Sequence, residues 1–146
     1  MSNIDRILYA EDNNNDIELT LTAFGECNLA NPVDVVKDGA EALDYLFYRG
    51  KYSHRNKEIP LFILLDLKMP KLDGIEVLKE IRKSKEYKNI PVIILTSSKM
   101  ESDIVRSYEL GANSFVVKPI GFKEFVETIK NLGYFWAVVN TSINYE

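Results

Sequence analysis

What is scarce in this sequence narrows its possible functions before any motif is read. There is one cysteine, Cys27, and one histidine, His54, in 146 residues. A lone cysteine excludes an internal disulfide and fits a reducing compartment. Without cysteine pairs or a second histidine, a Cys–His zinc site cannot be assembled. His54 lies in a polar stretch beside Arg55 and reads as a solvated surface residue, and no Ser–His–Asp set accompanies it. No glycine-rich phosphate loop follows the first apolar run, which argues against nucleotide binding. Basic charge is also lacking: the net charge is −4, and a nucleic-acid surface needs clustered Lys and Arg. No apolar run reaches the roughly 20 residues that span a bilayer. The opening Met1–Arg6 is too polar and too short for a signal peptide, so a cytoplasmic location is expected, with no membrane partner.

What is present is an ordinary globular composition, 46% hydrophobic and 27% charged, of a length that fits one domain over residues 1–146. Short β-branched apolar runs read as buried strands: Ile7–Ala10, Val33–Val36, Leu61–Leu65, Pro91–Leu95 and Phe115–Val117. Helical spacing fills the intervals. Ile17, Leu21 and Phe24 share a face, as do Leu43, Leu46 and Phe47, and Ile75, Leu78 and Ile81. Phe122, Phe125, Val126, Ile129 and Leu132 form the last such face. Asp16 is placed to cap the first helix, and Asp73 with Glu76 resembles a capping box. Five strands alternating with five helices imply an α/β fold, a doubly wound parallel sheet covered on both faces. Tyr48–Pro60 reads as a long polar loop before the third strand, and Lys83–Lys88 as a solvated helix end.

In such a sheet, ligands bind beyond the carboxyl ends of the strands. Those ends carry Glu11-Asp12, Asp66, Thr96 and Lys118-Pro119. Three carboxylates on one rim repel one another unless something neutralises them. Mg²⁺ prefers a few carboxylates, water and a phosphate oxygen, and with Lys118 it brings the charge of three acids to zero. Asp66 is the natural nucleophile, able to form an aspartyl-phosphate. Asp12 would ligate the metal directly, with Glu11 ligating it or holding one of its waters, together with Asp66 and the backbone carbonyl of Lys68. Thr96 would donate to a phosphoryl oxygen, and Lys118 would hold its charge. Each piece alone is weak: an acidic pair is usually a solvated turn, and Lys-Pro usually marks only a turn. Their order on successive strand ends gives them weight.

These residues resemble the receiver domains of two-component response regulators from about Ile7 to Leu132. Asp66-Leu67-Lys68-Met69-Pro70-Lys71-Leu72-Asp73-Gly74 is similar to the phosphorylation-site signature of that family. Asp38-Gly39-Ala40-Glu41-Ala42-Leu43 resembles its second-helix opening, and Gly111-Ala112, Phe115 and Lys118-Pro119 its fifth-strand signature. The resemblance implies a flavodoxin-like sheet of order 2-1-3-4-5. It implies phosphorylation of Asp66 by a partner histidine kinase with Mg²⁺ (or Mn²⁺), without conventional enzyme activity. It also implies a switch in which Thr96 and Phe115 move and remodel the face of the fourth helix, fifth strand and fifth helix. Glu11 stands where Asp is also common, and Phe115 lacks the hydroxyl of a tyrosine.

The long polar loop and the tail Gly133–Val139 look like small regulators paired with bacterial and cyanobacterial phytochromes. That likeness implies a phytochrome-type kinase. It also implies a homodimer, built from the switch face and an aromatic extension of the last helix over residues 133–146. The alternative for Tyr134, Phe135 and Trp136 is that they pack back on the domain. The 14 residues after Leu132 are too few for an output domain, so output is expected in trans through protein contacts. The competing functions are a pseudo-receiver scaffold, which predicts damage at Asp66, Thr96 or Lys118, and a metal-dependent phosphohydrolase. The hydrolases usually carry a second Asp two residues after the nucleophile, where this chain has Lys68.

Overall fold

Five short runs, each apolar on both faces, form the centre of the molecule because only a covered parallel sheet buries both sides of a strand. In the computed structural model, residues 6–26, 31–97, 108–118 and 120–131 are described. The order is β1 (Ile7–Ala10), α1 (Asn14–Glu26), β2 (Val33–Val36), α2 (Gly39–Leu46), β3 (Ile63–Asp66), α3 (Gly74–Lys83), β4 (Val92–Thr96), β5 (Ser114–Val117) and α4 (Phe122–Asn131). All strands are parallel in the order β2-β1-β3-β4-β5. The described residues thus include four of the five expected helices. The expected helix between β4 and β5 falls largely on residues outside the described set, so α4 here is the fifth of the sequence reading. Cys27, Pro119, Leu132 and the tail 133–146 also lie outside the described residues.

Strand alternation divides the core in two. Leu8, Ala10, Ile63, Leu65, Val92 and Ile94 face α2 and α3, where Leu43, Leu46, Ile75, Leu78 and Ile81 close the layer. Ile7, Tyr9, Leu64, Ile93, Leu95 and Val116 face the other way, onto Phe24 of α1 and Phe125 of α4, whose ring centres are 4.5 Å apart. Each fully buried aliphatic side chain contributes roughly 1.5–3 kcal/mol, so the two layers hold the strand ends rigidly.

Several local expectations change. α1 buries Thr20, Ala23 and Phe24, while Leu21 is 38% exposed. Asn13, not Asp16, caps α1: its Oδ1 accepts from the Asp16 N–H at 2.9 Å. The capping box of Asp73 and Glu76 on α3 is present. Within the run read as a solvated helix end, Tyr87 is fully buried and its hydroxyl donates to the Leu46 carbonyl at 2.6 Å. The long loop carries a short 3₁₀ turn at Gly50–Tyr52. Arg55 ties that loop down, its guanidinium over the rings of Tyr45 and Tyr48 at 4.0 and 4.5 Å.

The turn after β3 is held close at both ends. A Cβ on Gly74 would lie 2.4 Å from the Asp66 carbonyl, and one on Gly39 would lie 2.1 Å from that of Leu72. Neither position accepts a side chain without moving backbone.

Candidate functional site: an acidic rim at the strand ends

The parallel ladder fixes the rim by continuing one residue past each strand. The Glu11 N–H donates to Val36, Leu67 to Leu95, and Lys118 to Thr96, at 2.9, 3.0 and 2.7 Å. This brings Glu11, Asp12, Asp66, Thr96 and Lys118 to adjacent strand ends. One oxygen from each of Glu11, Asp12 and Asp66 lies within 4.8 Å of the others. Glu11, Asp66 and Thr96 are buried and Asp12 is exposed, so the acid cluster opens to solvent at Asp12.

Lys118 lies among the acids. Its Nζ is 3.1 Å from Glu11 Oε1, 3.3 Å from Asp66 Oδ1 and 2.7 Å from Asp16 Oδ2. The shortest of these contacts is to a residue that the sequence assigns to a helix cap. The reason is geometric: first-turn residues of α1 start at the end of β1 and face the rim. Counting first-turn acids together with strand-end acids would have found it. In the sequence Tyr9 reads only as a strand residue. Its buried hydroxyl lies 3.1 Å from Thr20 Oγ1 and 3.4 Å from Glu11 Oε1, beneath the cluster.

The charges are strained. Burial, then the adjacent Asp66, push the Glu11 carboxyl up to about 7, against the pull of Lys118. Burial raises Asp66 as well, although Glu11 and Lys118 oppose the rise. Burial alone would lower Lys118; its hydrogen bond to Asp16 and the charges of Asp66 and Glu11 outweigh it and raise the ammonium. Two buried carboxylates that resist ionisation, with an exposed third beside them, form an oxygen donor set suited to a hard divalent cation.

Two further residues frame the site. Lys68, two residues past Asp66, points an exposed side chain outward. Phe115 on β5 is half-buried and packs against the α2–α3 layer. Tyr108 meets it edge-on, with ring centres 5.9 Å apart. His54 is exposed in its loop.

Comparison with known proteins decides the family. The response regulator receiver domain model matches residues 7–130. The chain belongs to that family. Receiver domains are signalling proteins that work with histidine kinases and bind a divalent metal at an acidic pocket. This receiver is 35% identical over 130 residues to the response regulator Rcp1 of Synechocystis sp., covering 89% of this chain and 87% of that one. The Mn²⁺-bound structure of Rcp1 superposes with a TM-score of 0.75 at 34% identity, covering 91% of this receiver and 94% of Rcp1. The bacteriophytochrome response regulator AtBRR is more alike, at 53% identity and a TM-score of 0.86, covering 95% of this receiver and 99% of AtBRR. The phosphorylated cyanobacterial phytochrome regulator RcpA matches at 38% identity and a TM-score of 0.76, covering 92% and 94%. No helix among the described residues is long and apolar enough to cross a membrane.

Proposed function

We propose that this receiver is a phosphorylation switch, with Asp66 as acceptor, loaded by a histidine kinase of the phytochrome type. The observation that carries the reading is the placement of Asp66. Its carboxylate is 4% exposed at the end of the central β3, 3.3 Å from Lys118 and within 4.8 Å of Glu11 and Asp12. One Asp66 oxygen attacks the phosphorus of a phosphohistidine. The P–N bond breaks, and its electron pair returns to the imidazole, leaving an aspartyl-phosphate.

Glu11, Asp12, Asp66 and the Lys68 carbonyl would hold Mg²⁺, which supplies positive charge against the phosphoryl oxygens and the crowded acids. Lys118, 3.3 Å from Asp66, offers a fixed cation of the protein's own. Thr96, at the end of β4, donates its hydroxyl to a phosphoryl oxygen. Moving Thr96 leaves space that the Phe115 ring takes up, and this changes the surface around β5 and α4. The protein then acts as a single receiver over residues 1–146, in the cytoplasm, through protein contacts. A homodimer formed on the switch face and through the tail 133–146 is part of this reading. The likeness to AtBRR and RcpA supports the phytochrome link.

The test is an intact mass after incubation with Mg²⁺ and acetyl phosphate, beside Asp66→Asn. The expected result is a gain of one phosphoryl group in the wild type alone, prevented by prior EDTA. Failure with acetyl phosphate and with a panel of histidine kinases would leave a scaffold with this fold and no phosphate.

A further inference from the structure

The rim holds one more carboxylate than a neutral site requires. An ammonium has three protons to donate, and Lys118 faces three acids: Asp16 at 2.7 Å, Glu11 at 3.1 Å and Asp66 at 3.3 Å. Its hydrogen bonds go to Asp16 Oδ2 and to both Glu11 oxygens, and Asp66 faces it as an ion pair. Asp16 is half-buried in the first turn of α1. Its N–H donates to Asn13 Oδ1 at 2.9 Å, and the buried Tyr9 hydroxyl lies 3.4 Å from its carbonyl. Its backbone is held on both sides, which fixes its carboxylate against Lys118 instead of leaving it free in solvent. With a divalent cation bound, Glu11, Asp12, Asp16 and Asp66 still exceed the positive charge by one.

We propose that Asp16 is a positioning residue that restrains phosphotransfer, by occupying one proton of Lys118 and adding a fourth negative charge to the rim. The inference rests on Asp66 being the acceptor. An arriving phosphoryl group carries negative oxygens and needs a Lys118 proton. Asp16 competes for that proton and repels those oxygens. Without its charge, Lys118 keeps Glu11 and Asp66 and has one donor released for the incoming group.

The test uses the full chain with Mg²⁺ and acetyl phosphate. In that reaction the bond from phosphorus to the acetate oxygen breaks, acetate leaves with the electron pair, and an Asp66 oxygen takes the phosphoryl group. Initial rates are read by intact mass for wild type, Asp16→Asn, Asp16→Ser and Asp16→Glu. Removing the charge is expected to speed the reaction roughly five- to tenfold in the Asn and Ser variants. The Glu variant, which keeps the charge, should stay within about twofold of wild type. Beryllofluoride, a phosphoryl mimic, should bind the Asn and Ser variants more tightly by a similar factor. A residue that only supports the first turn of α1 would lower the melting temperature and leave rate and beryllofluoride affinity unchanged. Equal or slower phosphorylation in a folded Asn or Ser variant overturns the inference while Asp66 remains the acceptor. A wild type that takes no phosphate from any donor overturns the acceptor reading, and this inference with it.

Discussion

At the rim, the carboxylates of Glu11, Asp16 and Asp66 gather round Lys118, and Asp12 adjoins Glu11 and Asp66. Beside β2, Arg6 and Asp34 pair one against one. There Arg6 meets Asp34 through two hydrogen bonds of 2.7 and 2.6 Å, and the Tyr45 hydroxyl donates to the same carboxylate. Arg55 rests on aromatic rings and donates to the Tyr45 and Glu58 carbonyls at 2.8 and 3.2 Å. Burial alone would raise Asp34, but the Arg6 and Tyr45 hydrogen bonds outweigh it and hold the carboxyl below its ordinary value. At the rim, burial wins at Glu11 and Asp66. The difference teaches how to separate architecture from function in a charged cluster. Where charges balance within the protein, the cluster holds an element in place. Where one sign is left over, the cluster needs something from outside the chain.

The sharpest way to break this contrast is exchange of one acid in each cluster. Asp66→Asn should abolish phosphoryl incorporation, a loss of at least about a thousandfold in rate. Asp34→Asn should leave the rate within about twofold of wild type, because Asp34 does not touch the rim. Intact-mass time courses on both variants decide it, and comparable losses would erase the distinction.

Metal addition comes next. At about a hundred times its dissociation constant, Mg²⁺ should stabilise the wild type by about 2.7 kcal/mol in urea unfolding. Asp34→Asn should keep that gain and Asp12→Ala should lose most of it. In the other direction, Asp34→Ala should cost about 1–3 kcal/mol, by leaving half-exposed Arg6 and the Tyr45 hydroxyl without their acceptor. The metal response should survive unchanged.

The pH dependence completes the contrast, because the two clusters should slope oppositely. In EDTA, Glu11 keeps its proton up to about pH 7 in the folded state, against 4.5 for an ordinary glutamate. The unfolded chain binds fewer protons in that window, so stability falls as the pH rises through it. Asp34 is held below its ordinary 3.8. Its contribution is complete above that value and fades as the pH drops through the lowered one. Saturating Mg²⁺ should flatten the first slope and leave the second, as urea midpoints across pH would show.

The sheet and most of the rim were legible in the sequence for one physical reason. A strand buried on both faces is an unbroken apolar run, so the first charged residue after it marks the strand end and the ligand-binding edge together. β1 and β2 match their expected bounds, and the other strands shift by one or two residues. Helices with polar or small inner residues were harder to read. α1 turns Thr20 and Ala23 inward, and hydrophobicity gives no weight to the first and little to the second. Asp16 is ambiguous in the sequence because a first-turn acid serves equally as cap or as rim residue, and only the location of Lys118 decides between them. Tyr87 was hidden in a charged run, where its burial depends on the distant carbonyl of Leu46.

The two glycine contacts that hold the turn after β3 also limit what sequence change can do there. Gly39 and Gly74 bear on backbone atoms at its two ends, so its path cannot widen without moving α2 or α3. Between those points Lys68, Pro70 and Lys71 are exposed, but Pro70 fixes its own φ and Lys71 sits at φ 70° and pairs with Asp38 at 3.4 Å, so Lys68 is the side chain that can be exchanged while the path stays fixed. The turn is in that sense a rigid frame with one rewritable letter. A designer could recode Lys68 and keep the geometry of Asp66 intact.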